Sequence, residues 1–552
     1  MTERVLPGVS IKEVTEGLIS PALAGAVAVK LVGTACKGST DAQYFGPDEL
    51  SKLKDEYGPL DPYHYNESTT TNPPMELNLV RAARLLYKAA PPGGVWVCRA
   101  QASSVKAVGA AMTATNLTVT FTAKEEGAWY NNFQYNMQIE EDAEGNTYTA
   151  YAGYRPSTMK MRVPSYELFD STLDTSNFAT SDNQFFVNTN GITFEFYASS
   201  TDTTPTVSDF VAQWDDASNP LNAYFDMSVG ASTGTEFAVQ TAFASIYTAS
   251  DTAGTNWGAT DTAPPTSAMY SAALEKIRGK EARFTVIAGA SENTTDYSGV
   301  IAVGQSHVGN ASNENLEQIY YCGVANNTSQ DSMVTTVLTV SPLNIADDRV
   351  VIVAPGVETS NEFYGATGTF VPSDVSTDTS VILSGGYAAC LAAGLSAQQV
   401  PDESPMNKPL SGIVGLEHSF TRSNQKQLVR GSFFLLVDDN GYRTLRDLTS
   451  AGSTDPFFHI STRAVIDDIK RSIRSTGNPF IGRKNIPRNR AKLQSNLEYV
   501  LEEYQRREII TEDWSIQVTS SRTEQIIGVV RVVMIIQTVF YMEFIEVDMV
   551  LE

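Results

Sequence analysis

Hydrophobic and polar positions along this chain fall into three textures. The first is the short, continuous apolar run. ALAGAVAVKLVG (22–33), VWVCRA (95–100), RFTVIAGA (283–290) and DRVVIVAPG (348–356) sit between turn residues and predict buried strands of an α/β layer. Helical spacings lie among them. QYFGPDELSKLKDEY (43–57) opens on turn residues and then repeats at Leu50, Leu53 and Tyr57. Leu77, Val80, Arg84 and Tyr87 follow helical rows until PPGG (91–94) stops them. SAMYSAALEKIRG (267–279) predicts a further helix, and the small-residue run LSGGYAACLAAGLSAQQ (383–399) predicts one able to pack closely on a sheet. PDESPMNKPL (401–410) then breaks the pattern with its prolines.

The second texture fills residues 105–265, which are rich in Thr, Ser, Asn, Asp and Gly with aromatic alternations such as 193–197. Short strands with polar turns are expected there, in a solvent-facing insertion. The third is a mixed tail after residue 416: strands near 427–437, a helix over 456–475, another over 488–506, and two final strands. Both ends of the chain alternate. Val5, Pro7, Val9 and Ile11 share one strand face, as do Ile545, Val547, Met549 and Leu551, with Glu546 and Asp548 opposite. Arms this short cannot bury themselves and must pair with something else.

The expected fold class is therefore α+β and multidomain: an inner α/β core formed by the N- and C-terminal parts, with an inserted mainly-β outer domain. The expected divisions are an arm (1–20), a first α/β part (21–104), the acidic insertion (105–265), an α/β domain (266–415) and a C-terminal α+β domain (416–552) ending in a linking strand.

Composition narrows the function. A net charge of −24 over 552 residues argues against direct nucleic-acid binding, which needs cations to meet phosphates. The imbalance is local: residues 111–340 hold 8 Lys/Arg against 26 Asp/Glu, whereas 411–552 hold 18 of each. IIGVVRVVMIIQTVFYMEFI (526–545) imitates a membrane span, but Arg531, Gln537 and Glu543 interrupt it and β-branched residues dominate. Two buried strands are expected, with no membrane insertion. The opening residues lack a basic stretch followed by an apolar one, so no secretory signal is read and assembly in the cytoplasm is expected.

Catalytic chemistry is sparse. Gly230-Ala-Ser232-Thr-Gly234 matches a nucleophile-elbow spacing, but it lies in the Ser/Thr-rich insertion and the whole chain offers His64, His307, His418 and His459 as bases. The acidic run 140–145 lacks the first Asp of a calcium loop and has Tyr151 where the closing Glu belongs. Cys36, Cys98, Cys322 and Cys390 are scattered. No catalytic, metal or cofactor residue is assigned, and no cofactor is expected. One charged feature stands out: Arg463, Lys470, Arg471 and Arg474 fall on one helical face, followed by the basic stretch 483–492. It is either a solvated helix face or a contact for an acidic partner.

The order of these pieces resembles contractile phage tail sheath proteins along most of the chain. PGVSIKEV (7–14) looks like the family's N-terminal arm. The run APG (354–356), followed by SGGYAACLAAGL (384–395) and SPMNKPLSGIVGLE (404–417), is similar to its subtilisin-like domain, a likeness of fold rather than of proteolysis. GYRTLRDL, ISTRAVIDDIKRSIRS and the final strand pair resemble its C-terminal domain; a variable insertion at this place also follows the family's layout, although residues 105–265 themselves resemble no named domain. The resemblance implies a structural, non-enzymatic subunit of a contractile tail in the virion. Its implied partners are further copies in helically stacked hexameric rings, the inner tail tube, and baseplate and terminator proteins. Val5, Val9, Ile11, Ile545, Val547, Met549 and Leu551 would be arm positions exchanged between subunits, and Arg463, Lys470, Arg471 and Arg474 would face the tube. A static surface or capsid-like protein with a receptor-binding β domain is the alternative.

Overall fold

The structure, a computed structural model, describes residues 28–58 and 78–100 (apart from 36, 37, 90 and 92), short stretches between 106 and 245, and 266–543 with breaks at 292–298, 340–344, 361–379 and 401–402. Its centre is an eight-stranded sheet in the order β18-β17-β13-β12-β11-β1-β3-β2. Six parallel strands form the middle: β1 (Val29–Gly33), β3 (Val95–Arg99), β11 (Phe284–Ile287), β12 (Ile319–Gly323), β13 (Val350–Ala354) and β17 (Phe434–Asp438). The short β2 (Gln43–Phe45) and β18 (Tyr442–Thr444) close the two edges antiparallel.

Apolar runs without alternation signal a sheet covered on both faces, and that is how these strands are buried. Successive residues go to opposite cores. Leu31, Val286, Tyr321, Val351 and Leu436 enter one, whereas Val32, Ile287, Cys322, Ile352 and Leu435 enter the other. Helices α2 (Leu79–Lys88) and α6 (Gly385–Gln398) fill the first core, with α1 (Leu50–Tyr57) beside α2. On the second side lie α3 (Ser267–Ile277), α4 (Val300–Asn313), α5 (Gln330–Thr339) and α7 (Arg422–Arg430).

Residues of α6 are buried from Gly385 to Ala397. Small side chains make this possible, and its first turn comes closest of all. A Cβ on Gly323 would lie 1.9 Å from the Gly385 carbonyl carbon, and one on Gly386 would lie 2.4 Å from that of Gly289. Open α/β sheets take ligands in the crevice beyond the carboxyl ends of their strands. Here the start of α6 fills that position, backbone against backbone.

Between β3 and β11 the described strands pair among themselves. β4 (Lys106–Ala114), β5 (Leu117–Glu126) and β9 (Phe225–Val229) form one antiparallel sheet. β10 (Gln240–Ser245), β6 (Gln134–Ile139), β7 (Pro156–Ser165) and β8 (Val187–Tyr197) form another. A three-stranded sheet, β15 (Ser380–Leu383), β14 (Val357–Ser360) and β16 (Gly415–Leu416), lies next to α6.

After β18 come α8 (Ile460–Gly477), a 3-10 turn (Asn478–Phe480), α9 (Pro487–Arg506), β19 (Ser515–Thr519), α10 (Arg522–Ile526) and β20 (Arg531–Ile535). Val465, Ile466 and Ile469 of α8 pack with Leu501 and Tyr504 of α9 and with Ile509, Ile510 and Ile536. The strand expected near 427–437 is instead a helix (α7) followed by β17. Only Leu428 and Asn424 of α7 are buried, so its apolar signal is one residue deep.

Candidate assembly interface

Helix α8 carries the four basic residues that its sequence places on one face, and the structure divides them. Arg463 has no solvent exposure. Its Nη1 donates to Asp348 Oδ2 at 2.7 Å and its Nη2 to Asp467 Oδ1 at 2.6 Å, with the guanidinium 4.6 Å from the centre of the Phe457 ring. Asp467 also receives a fork from Arg349, at 2.7 and 2.9 Å. Burial pushes the Asp467 carboxyl up, but the Arg349 and Arg463 cations outweigh it and hold the group well below the usual carboxylate range. One turn and more along the helix, Arg471 donates to the Glu317 carbonyl at 2.7 Å, and Arg474 grips the buried Glu317 carboxylate. Lys470 is lowered to about 8 by burial and by Arg474.

These contacts dock α8 onto the central body. The expectation of a single tube-facing basic face on α8 is therefore corrected for Arg463, which is sealed inside. Arg471 and Arg474 are half-buried and engaged within the chain. Their shared partner, Glu317, lies 154 and 157 positions away, which no helical spacing could reveal.

A cluster of exposed cations lies at the start of α9. Arg483, Lys484, Arg488 and Lys492 are exposed, and Arg483 lies 4.8 Å over the Phe480 ring. This helix opens with Pro487 and has no acidic residue in its first turn and no side-chain cap. Cations at a helix N-terminus oppose the macrodipole, so the cluster works against the helix that carries it. Asn485 ties this end to the turn of the β19–β20 hairpin, donating to Ser520 Oγ at 3.0 Å and to the Val529 carbonyl at 3.3 Å. Around the same turn Ile486, Ile526 and Ile527 are 43%, 74% and 68% exposed.

The hairpin itself is the third element. β19 and β20 pair antiparallel from Ser515↔Ile535 to Thr519↔Arg531. Ile516 and Met534 pack inward, whereas Val533 and Ile535 are 46% and 57% exposed. Among the described residues neither outer edge of this two-stranded sheet carries another strand. Beyond it Val539, Phe540, Tyr541 and Met542 are exposed as well.

The apolar run expected to form two buried strands thus holds, among its described residues, the end of α10 and one strand, β20, with an uncovered face. The interrupting Arg531 was the available signal, since it sits on that exposed face with Val533 and Ile535. No helix among the described residues is long and apolar enough to cross a membrane. Val5, Val9, Ile11, Ile545, Val547, Met549 and Leu551 lie outside the described residues, as do Ser232 and the acidic run 140–145.

Comparison with known proteins bears on both the tail and the whole chain. Residues 453–552 match the phage tail sheath C-terminal domain family. No curated protein sequence matches. A sheath tail protein of Desulfitobacterium hafniense is similar in structure, with a TM-score of 0.55 and 15% identity over 96% of this chain and 100% of that one. One from Listeria innocua gives 0.54 and 13%, over 90% of each chain. The helical sheath of the anti-feeding prophage, in its contracted state, gives 0.51 and 11% over the whole of both. The structural likenesses establish the fold, and the family match covers the region that holds α8, α9 and the open hairpin. Residues 453–552 are thus similar to the phage tail sheath C-terminal domain, and the fold of the whole chain is similar to that of sheath tail proteins.

Proposed function

We propose that this protein is the structural subunit of a contractile sheath, polymerising in helically stacked hexameric rings around an inner tube. The observation that carries the reading is the β19–β20 hairpin, whose outer edges carry no further strand and whose apolar face is uncovered among the described residues. Two strands alone are marginal in water and invite a third. The alternating arms at residues 1–14 and 543–552 are the strands proposed to complete it, donated from neighbouring copies. Each would add roughly half a dozen main-chain hydrogen bonds of about 1 kcal/mol. Burying each large apolar side chain adds about 1.5–3 kcal/mol. Such a strap survives sliding of the bodies it joins. Residues 515–517 are held in the β19 ladder, so strand exchange is assigned to the arms at 1–14 and 543–552.

In this reading the central sheet and the C-terminal domain form the inner body, and residues 105–265 form the inserted outer domain. The tube contact moves from α8 to the start of α9, where Arg483, Lys484, Arg488 and Lys492 are exposed and oppose their own helix dipole. Lys470, on α8, is kept as a separate candidate. Baseplate and terminator proteins would cap the two ends of the polymer. The particle is a virion tail or a phage-derived relative, assembled in the host cytoplasm.

Purified full-length protein should form rings or hollow tubes by negative-stain microscopy. Deleting residues 1–14, or separately 543–552, should abolish long polymers and leave a folded, soluble body. Normal tubes from either deletion would refute strand donation.

A further inference from the structure

The last described residue, Glu543, is held fast. Its carboxylate pairs with Arg446 and lies 3.3 Å from His459 Nε2. Both partners belong to the segment that leads into α8. His459 Nδ1 faces the Asp447 carbonyl at 2.8 Å, and a carbonyl only accepts, so Nδ1 carries a proton. All three side chains are largely withdrawn from solvent, at 22%, 10% and 15% exposure for Arg446, His459 and Glu543.

Asp447 makes this site rigid. No side chain of α8 caps its own start, and Asp447 does so from outside, accepting from Ile460 N at 3.0 Å, from Ser461 N and Oγ, and from Ser404 Oγ at 2.9 Å. Loop 404, the start of α8 and Glu543 thus meet at one node. A second hold lies upstream, where Val539 N donates to the Ile509 carbonyl at 3.1 Å. Between the two holds Phe540, Tyr541 and Met542 are kept exposed, at 52%, 38% and 86%. Anchored at both ends, this apolar segment has less freedom to fold back on the body.

We infer that Arg446, His459 and Glu543 form a tether that fixes where residues 544–552 leave the domain and preorganises them for capture by a second copy of this chain. The inference rests on the donated-strand reading. Its physical content is that ordering is completed before assembly rather than during it, so that less chain entropy opposes strand exchange. Arg446, His459 and Glu543 are positioning residues. They need make no contact across the interface themselves.

The test uses the full chain with Glu543→Gln, Arg446→Met, and the swapped pair Arg446→Glu with Glu543→Arg. In unassembled protein, amide exchange over residues 536–543 should rise about fivefold or more in each single variant. Polymer formation should slow by a comparable factor, and the swap should restore most of both while the melting temperature stays near that of the parent. Unchanged exchange in both single variants overturns the tether. So does slowed assembly that tracks a lower melting temperature and is not restored by the swap. If exchange rises as expected but deleting 544–552 leaves polymers intact, the tether stands and the donated-strand reading fails.

Discussion

Strands β13 and β20 are both five residues long and both rich in valine and isoleucine, VVIVA against RVVMI, yet their surroundings are opposite. Every residue of β13 is buried, with parallel neighbours on both sides and helices over both faces. Alternate residues of β20 are exposed, and among the described residues it has one neighbour. Apolar content says that a strand will be covered; it does not say by which chain. β13 is completed from within, and β20 is the strand proposed to be completed by a partner.

The sharpest way to break this contrast is to place one charge in each strand. Ile352→Asp should unfold the protein, because an unpaired carboxylate in a closed core costs about 4–5 kcal/mol or more. Val533→Asp should change monomer stability by less than about 1 kcal/mol and still prevent polymers. Urea denaturation and light scattering separate the two effects. An unfolded Val533→Asp monomer would mean that the hairpin is as complete as the central sheet.

A second contrast sets the inward charges of α8 against the outward charges of α9. Asp467→Asn leaves Arg349 and Arg463 short of a buried counter-charge and should cost about 3–5 kcal/mol. Its pH dependence has a definite sign. The Asp467 carboxyl is depressed in the folded state, so its contribution is fully present above the ordinary carboxylate range and is lost as pH falls below that range toward the folded value. The gap between parent and variant should therefore narrow below about pH 4. A gap that widens there would show that the pair is not ionised as described.

The smallest effect has the opposite direction. Arg488→Glu puts an anion at the start of α9 and should stabilise the monomer by about 0.3–1 kcal/mol. It should weaken attachment to the tube, and added salt should weaken the parent's attachment in the same way. A variant that loses stability and keeps its tube affinity would return the cluster to an ordinary solvated surface.

The sequence was most legible where local pattern and tertiary burial agree. The runs at 29–33, 95–99, 284–287 and 350–354 are the strands expected of them, and the small-residue helix lies where its glycines allow backbone contact. β12 and its flanking helices α4 and α5 were missed, because IYYCG is short and VIAVGQSHVGNASN mixes small and polar residues without a clear stripe. The assembly surface was legible only as composition. The charges of α8 and the apolar residues of β20 were visible, but their facing was not. Facing depends on Glu317, Asp348 and Asn485, which are distant in sequence or carry no pattern of their own.

The central claim is that the β19–β20 sheet is completed by strands from other copies. Amide exchange over residues 515–519 and 531–535, compared between unassembled protein and purified polymer, tests it directly. Completion of the sheet predicts that the outward-facing amides of both strands slow by about tenfold or more on assembly, while the already closed strand 350–354 barely changes. Equal exchange of the hairpin amides in both states would contradict it.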